Sequence, residues 1–481
     1  MTELPTGWAE VRTDEAGTLD LGRQRSPKYH SGPNMKPYLR VANVFEDRID
    51  ASDVKTMHFE PEAFERSKLH VGDVLLNEGQ SPEWLGRPAI YRGDPPDVAF
   101  TNSLIRFKPN AAVTSEWALV VFRHHMHSGR FARESRITTN IAHLSANRLA
   151  AVEFRVPPLA EQERIVTAIE EAFSKLDAGE AGLRTVRQLL KRMRGAILTA
   201  AVTGRLVPQD PTDTPAAKLL ADLGVQPTEG VDLPGGWAPA ELGDLLEGIE
   251  AGKSFATQGQ AAQAGEVGVI KVSAMTWGEF RPAENKALPP GTAIDERWRI
   301  RAGDLLLSRA NTADYVGACV LVQSDHDDLI LSDKSLRLRT AAGVDRRWLL
   351  YALRSRPVRE QIERLATGTK ESMRNISQAK LRSLRVSLPP AEEQIRIADE
   401  VERQMSFLGA CERAVDAGLA RSAGLRRSVL KAAFEGRLVP QDRSDEPASA
   451  LLDRVREARV PPGQRIARGN PRHTPFVESE A

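Results

Sequence analysis

The heptapeptide GRLVPQD stands at residues 204–210 and again, letter for letter, at 436–442, so that 436 − 204 = 232 residues separate the copies. Carried along the chain without a gap, that offset sets Pro158, Glu161, Gln162, Arg164 and Ile165 on Pro390, Glu393, Gln394, Arg396 and Ile397. It also sets Leu198 on Leu430 and Pro215 on Pro447. Between these blocks the repeat loosens: LPTGW at 4–8 returns as LPGGW at 233–237, and GDVLL at 72–76 as GDLLL at 303–307, with offsets that drift between 229 and 232. One scaffold has been duplicated, and it carries two modules that have been free to differ.

The well-kept blocks read as helices. From Ile165 the positions Ile169, Ala172, Leu176, Leu183, Val186, Leu190, Met193 and Ile197 follow alternating steps of four and three, a heptad stripe weakened only at Gly179. The second block repeats it with Ile397, Val401, Leu408, Cys411, Val415, Leu425 and Val429, interrupted by Gln404, Gly418 and Ser422. Pro157, Pro158, Pro389 and Pro390 stand where proline starts a helix, and Gly204 and Gly436 where glycine stops one. About 45 residues at about 1.5 Å each make a rod of about 65 Å, near two turns of B-DNA. Neither stripe can be buried alone, so the two helices are expected to pair antiparallel within one chain. The heptads and length disfavour two ordinary core helices.

The looser blocks mix short β-rich runs, such as 38–44 and 269–273, with Gly/Pro/Asp turns and a helical stretch near Trp117 or Trp348. They predict compact α+β domains. The expected organisation is a first variable domain over 1–157, a spacer helix and linker over 158–232, a second variable domain over 233–389, a second spacer helix over 390–455, and a tail without structure over 456–481. The fold class is α+β, with two such domains separated by two long antiparallel coiled-coil helices in a pseudo-two-fold repeat.

Basic and amide side chains cluster in the variable loops. The first domain offers Arg23, Arg25, Lys28 and Tyr29, then Arg130, Arg133, Arg136, Thr138, Thr139 and Asn140. The second offers Arg309, Asn311 and Thr312, then Thr367, Thr369, Lys370, Arg374 and Asn375. Arg forks onto guanine, Asn onto adenine, and Thr and Lys reach phosphates, so these loops carry the chemistry of groove reading. A solvated loop explains any one of them as well; the recurrence in both domains is what favours the group.

With 66 Lys+Arg against 65 Asp+Glu the net charge is +1, so any nucleic-acid binding must come from local patches. No apolar run approaches the roughly 20 residues of a membrane span and Met1 to Glu10 lacks a signal-peptide layout, which predicts a cytoplasmic protein. Cys319 and Cys411 lie far apart with no zinc spacing and are expected to be inert thiols. Asp94-Pro95-Pro96-Asp97 departs from the Asp-Pro-Pro-aromatic motif of adenine methyltransferases at its fourth residue, which cannot stack on a base. Gly252-Lys253-Ser254 lacks the upstream glycine of a phosphate loop, because residue 247 is Glu. His124, His125 and His127 have no completing ligand, and are expected as solvated surface histidines rather than a metal site. No catalytic constellation and no metal site is predicted.

Pro157-Pro158-Leu159-Ala160-Glu161-Gln162-Glu163-Arg164-Ile165 and Leu388-Pro389-Pro390-Ala391-Glu392-Glu393-Gln394-Ile395-Arg396-Ile397 resemble the paired PLPPLAEQ-x-x-I helix openings of type I restriction-modification specificity subunits. The LPxGW openings, the Gly-Asp-hydrophobic strands and the Gly-Arg-Leu-Val-Pro exits follow in that family's order, twice, over nearly the whole chain. Departures are small: Val156 stands where Leu or Ile is usual, and Ala391-Glu392 replaces Leu-Ala. The resemblance implies a non-catalytic subunit whose two target-recognition domains each read half of a split double-stranded DNA site. It also implies that the helices fix the gap and dock two methyltransferase subunits, which use S-adenosylmethionine, and that restriction and translocation subunits using ATP and Mg join through them. Isolated, such a near-neutral chain is expected to bind DNA weakly, with a shallow salt slope. The alternatives are a coiled-coil adaptor that binds no nucleic acid, for which loss of a variable domain leaves target choice untouched, and a single-chain DNA-modifying enzyme, for which the purified chain is active.

Overall fold

A computed structural model describes residues 4–138, 141–226, 233–370 and 373–459. Two helices of 44 residues each, Leu159–Val202 and Ala391–Phe434, begin directly after the proline pairs. Each ends at a glycine with φ +66°, where a Cβ would lie 2.3 Å from Pro234 Cγ at Gly204 and 2.4 Å from Pro5 Cγ at Gly436. The next N–H groups fold back to close the helix ends, Arg205 onto the Ala200 carbonyl at 3.0 Å and Arg437 onto the Ala432 carbonyl at 2.8 Å. Among the described residues no helix is long and apolar enough to cross a membrane.

The chain divides into two compact units that cut both long helices in the middle: 1–182 with 418–481, and 183–417. In unit 1 a four-stranded antiparallel sheet runs in the order Gly17–Leu21, Leu104–Pro109, Val74–Asn77, Pro88–Ile90. The helix Ser115–His127 packs on it. Thr114 caps that helix by accepting from the Trp117 N–H at 3.1 Å, and the fully buried Trp117 ring meets Trp8 edge-on at 5.6 Å. Unit 2 repeats the plan: Leu246–Ala251, Ser335–Thr340, Leu305–Ser308 and Cys319–Leu321 form the sheet. Its helix Arg346–Arg354 is capped by Asp345 and buries Trp348.

One buried arginine organises each sheet. Arg106 and Arg337 occupy equivalent central strands, and each is only 4% exposed. Arg106 donates to the Lys68 carbonyl at 2.8 Å and Asp20 at 2.9 Å, and lies 3.6 Å from Asp73. Arg337 donates to the Arg297 carbonyl at 2.7 Å and pairs with Glu250 at 2.9 Å and Asp304 at 2.7 Å. Asp73 and Asp304 are the acidic residues of the repeated Gly-Asp strands, whose recurrence is thereby explained.

The other repeated motifs meet at the helix openings. In unit 1, Gln162 donates to the Ala112 and Pro157 carbonyls at 2.8 and 3.0 Å and accepts from the Thr114 N–H at 2.9 Å. In unit 2, Gln394 donates to the Pro389 carbonyl at 3.0 Å and accepts from the Asp345 N–H at 2.9 Å. Buried Glu161 accepts from Gln441 at 3.3 Å; buried Glu393 accepts from Gln209 at 3.3 Å and from the Trp237 indole at 3.0 Å. Burial pushes both carboxyl groups above the usual carboxylate range. The exit motif of one repeat therefore closes the domain of the other. Ala448 donates to Gly7 at 2.9 Å and Ala216 to Gly236 at 2.8 Å, and Leu430, Ala433, Phe434, Ala448 and Leu452 join the core of unit 1.

Within each unit the two helix segments run antiparallel. In unit 1 Glu180 accepts from Ser422 at 2.7 Å, and Asp177 pairs with Arg426 at 2.5 Å. In unit 2 Arg187 pairs with Asp416, and Arg194 with Glu412 at 2.9 Å. The heptad stripe is buried at Ile165, Ile169, Leu190, Ile197, Ile397, Val401, Leu408 and Val415. Val186, Met193 and Leu425, expected in the seam, are 41%, 48% and 47% exposed. A two-helix ribbon covers only one flank of each helix, and a domain must supply the other.

Two further expectations are corrected. The tail expected to lack structure from 456 begins inside the helix Ala448–Arg459, and Arg456 donates to Glu15 at 2.9 Å. The three histidines are not solvated. His125 is 1% exposed and meets the Glu153 carbonyl at 2.9 Å, His127 meets Glu46 at 2.9 Å, and the His124 ring stacks on Phe434 at 4.2 Å. Burial holds His124 down to about 4, and lowers His125 as well.

That depression has a pH consequence. Below the ordinary histidine value of about 6.5 the unfolded chain takes up a proton that the folded chain refuses, so stability is lost as pH falls toward about 4. Thermal melts at pH 7.5 and 5 are expected to show this loss, and His124→Phe, which keeps the stack, to reduce it. Equal losses in the two proteins would rule out His124 as a contributor.

Candidate nucleic-acid interface

The second unit brings together two sequence clusters that lie far apart in the chain. Ala310–Asn311, Met373–Asn375 and Thr367–Lys370 form a three-stranded antiparallel sheet in that order, with Ala310 opposite Asn375 and Asn311 opposite Arg374. Arg309 donates to the Asn375 side chain at 3.4 Å, and Arg374 to the Gly368 carbonyl at 3.5 Å. Asn311 accepts from the Thr312 N–H at 2.9 Å and donates to Ser308 at 3.4 Å. Thr312 and Asn375 are exposed, and Met373 is 59% exposed beside them. Thr369 and Lys370 lie on the strand Thr367–Lys370. The ensemble is a narrow β-ribbon presenting amides, hydroxyls and guanidinium groups, a form that fits a DNA groove.

Unit 1 builds the same element from different residues. Arg136–Thr138, Ile141–His143 and Gly79–Gln80 form its three-stranded sheet, with Gln80 opposite Ala142 and Gly79 opposite His143. Arg136 and Thr138 are thus strand residues of the hairpin, and Thr139 and Asn140 lie outside the described residues. His143 meets Glu78 at 3.3 Å and Ile141 is 51% exposed. Gln80 and His143 belong to this ribbon, with Ser81 next to it in the chain, and were not picked out from the sequence. The signal was present: the repeat offset sets Glu78, Gln80 and Ser81 on Arg309, Asn311 and Thr312, but the chemistry there has diverged.

The remaining candidates sit elsewhere in unit 1. Arg23 is turned into its own loop, 2.6 Å from Glu60 and 3.9 Å above the Tyr29 ring, with a side chain only 10% exposed. Arg25 and Lys28 are exposed, Arg25 lying 5.9 Å from the Tyr38 ring and Lys28 4.8 Å from that of Tyr29. Lys28 and Arg23 lower the Tyr29 phenol below its ordinary value. Arg130 is tied to Glu153 at 2.8 Å and Glu134 at 2.5 Å, whereas Arg133 on the same short helix is exposed. Among the described residues no group of three or more His, Cys, Asp and Glu side chains is placed to hold a metal ion.

Residues 234–406, which hold the second ribbon and the start of the second long helix, match the family model of the type I restriction modification DNA specificity domain. The chain carries this domain there. Among similar proteins, the EcoKI specificity subunit of Escherichia coli K12 is 22% identical over 97% of this chain and 98% of its own. The StySPI specificity subunit of Salmonella potsdam is 22% identical over 96% and 97%. The EcoBI specificity subunit of Escherichia coli is 27% identical over 70% of each chain. A chain solved in work on complex assembly and conformational transition of the type I system superposes with a TM-score of 0.63 at 21% identity, covering 91% of this chain and all (100%) of its own. The HsdS subunit of Thermoanaerobacter tengcongensis gives 0.54 at 20% identity, covering 90% and 98%. These likenesses show the fold, mixed sheet and helix with two long helices, and in this chain the ribbon occurs twice.

Proposed function

We propose that this chain is the non-catalytic, DNA-reading subunit of a type I restriction-modification complex in which residues 1–157 and 233–389 each read one half of a bipartite, gapped site. The helices of 158–232 and 390–455 set the gap and dock two methyltransferase subunits, through which restriction subunits join. S-adenosylmethionine, ATP and Mg are used by those partners. The observation that carries the reading is the β-ribbon, present at equivalent places in both units but built from different side chains. A scaffold kept constant around a divergent reading element is what two different half-sites require.

The contact set proposed is Arg309, Asn311, Thr312, Thr369, Lys370, Arg374 and Asn375 in the second domain, with Arg25, Lys28, Arg133, Arg136, Thr138 and Asn140 in the first. Arg23 acts by shaping the loop that presents Arg25 and Lys28. Co-expression with the neighbouring methyltransferase subunit in a methylation-free host, followed by single-molecule sequencing, is expected to give a split motif with one modified adenine in each half. Arg309→Ala or Asn375→Ala is expected to relax one half only, each lost base contact costing about 1–3 kcal/mol. An assembled complex, supplied with S-adenosylmethionine, that methylates nothing would favour the adaptor reading instead.

A further inference from the structure

The hairpin strands of the two ribbons carry different chemistry at every position but one, where each keeps a large apolar residue turned to solvent. In unit 1 the last register pair of the hairpin is Thr138 with Ile141, and in unit 2 it is Lys370 with Met373. Ile141 and Met373 are separated by 373 − 141 = 232 residues, the offset of the duplication, and are 51% and 59% exposed. Their neighbours have not been kept. At the same offset Thr138 falls on Lys370, Ala142 on Arg374 and His143 on Asn375.

Side chains alternate between the two faces of a strand. Ile141 and His143 therefore share the exposed face of theirs, with Ala142 buried between them, and Met373 shares an exposed face with Asn375, with half-buried Arg374 between. The apolar residue of unit 2 thus points the same way as an amide proposed to meet a base. One exposed apolar side chain is ordinary on a protein surface and would carry no argument. Its recurrence at the closing pair of both reading elements, among neighbours that have diverged, does carry one. A contact with a thymine methyl group reads a single base, and two different half-sites have no common need of it. A side chain pushed between base pairs serves any sequence, because every step of a duplex can be opened.

We infer that Ile141 and Met373 are wedges: each enters the base stack of its own half-site and holds open the step from which the adenine to be methylated leaves the duplex. Isoleucine and methionine are among the side chains that unstack a base step on insertion, and a base inside a duplex is out of an enzyme's reach until it is extruded. The reading chain then contributes to the rate of its partner's reaction as well as to the choice of site. It does so by placing the base, without touching the methyl donor. This rests on the proposed function, which supplies one modified adenine in each half.

The test uses the full chain assembled with the methyltransferase subunit, S-adenosylmethionine and a duplex of the mapped split site. Met373→Ala and Ile141→Ala remove exposed side chains, so circular-dichroism melts are expected to be unchanged. Each variant is expected to slow methylation about tenfold or more in one half, while the other half and the KM for DNA change by less than about threefold. 2-Aminopurine at the target adenine should lose, in that half alone, the fluorescence rise that the unmodified complex produces. A mismatch opposite the adenine loosens the base beforehand and should restore the rate. Met373→Leu and Ile141→Leu should keep it on the matched duplex. Full-rate methylation by both alanine variants would overturn the wedges and leave the proposed function standing. So would a slowed rate that the mismatch leaves slow; an altered base preference in that half would then assign the residue to a thymine methyl contact. An unmodified complex that methylates no split site would overturn the proposed function, and the wedges with it.

Discussion

Ending the chain at Phe434 is expected to unfold the first domain while leaving the second intact. The deleted segment holds Ala448 and Leu452, both buried in the core of unit 1, with Leu438, Val439, Leu451 and Val455 packed against it. Each buried aliphatic side chain contributes about 1.5–3 kcal/mol, so their joint loss rivals the roughly 5–15 kcal/mol that holds a whole domain folded. The deletion also removes Gln441 from Glu161 and Asp445 from Arg164, leaving a buried carboxyl group without one of its donors. Unit 2 has its own equivalents of these groups in Gln209 and Asp213, which the truncated chain retains. Hydrogen exchange read by peptide is the measurement: protection should be lost over the first domain and kept over 233–389. Uniform loss, or none, would refute the division of labour.

The second large effect is expected at the buried arginines. Arg106→Met leaves Asp73, whose side chain is 5% exposed, without its cation. Removing one partner of a buried ion pair costs about 3–5 kcal/mol. Arg337→Met should cost unit 2 a similar amount through Asp304. Urea titration gives the loss, and the pair Arg106→Met with Asp73→Asn should recover part of it, since the second change removes the stranded charge. A loss under about 1 kcal/mol would mean that water reaches the site and that the arginine is not a keystone.

The scaffold was legible because its tie-points are also its repeats. Glu161, Gln162, Gln441 and Trp8 recur at the duplication offset for the physical reason that they meet one another, or their counterparts do, at the helix openings. The helix limits were legible from the proline pairs and from Gly204 and Gly436. Other features were hidden, each for the same reason. The ribbon of unit 2 joins residues 309–312 to 367–375, a pairing that no local pattern encodes. His124 looked solvated because Phe434, which covers it, lies at the far end of the chain. Val186 and Met193 fit the heptad rule, but heptad spacing does not say which stretch of a helix has a domain to cover its other flank. The Gly-Asp strands were visible as a motif, yet nothing near them in sequence pointed to a buried arginine as the cause.

The discontinuity of unit 1 has a consequence for synthesis. Residues 183–417 are one continuous stretch, so the second unit has all its parts as soon as its last residue clears the ribosome. The first domain is made earlier but cannot be finished until the helix ending at Arg459 arrives. About 300 residues of translation lie between, roughly 15–60 s at about 5–20 residues per second. For that interval the surface awaiting Phe434 and Leu452 stays uncovered, making the domain synthesised first the last to mature and the one with the longest exposure to chaperones and proteases.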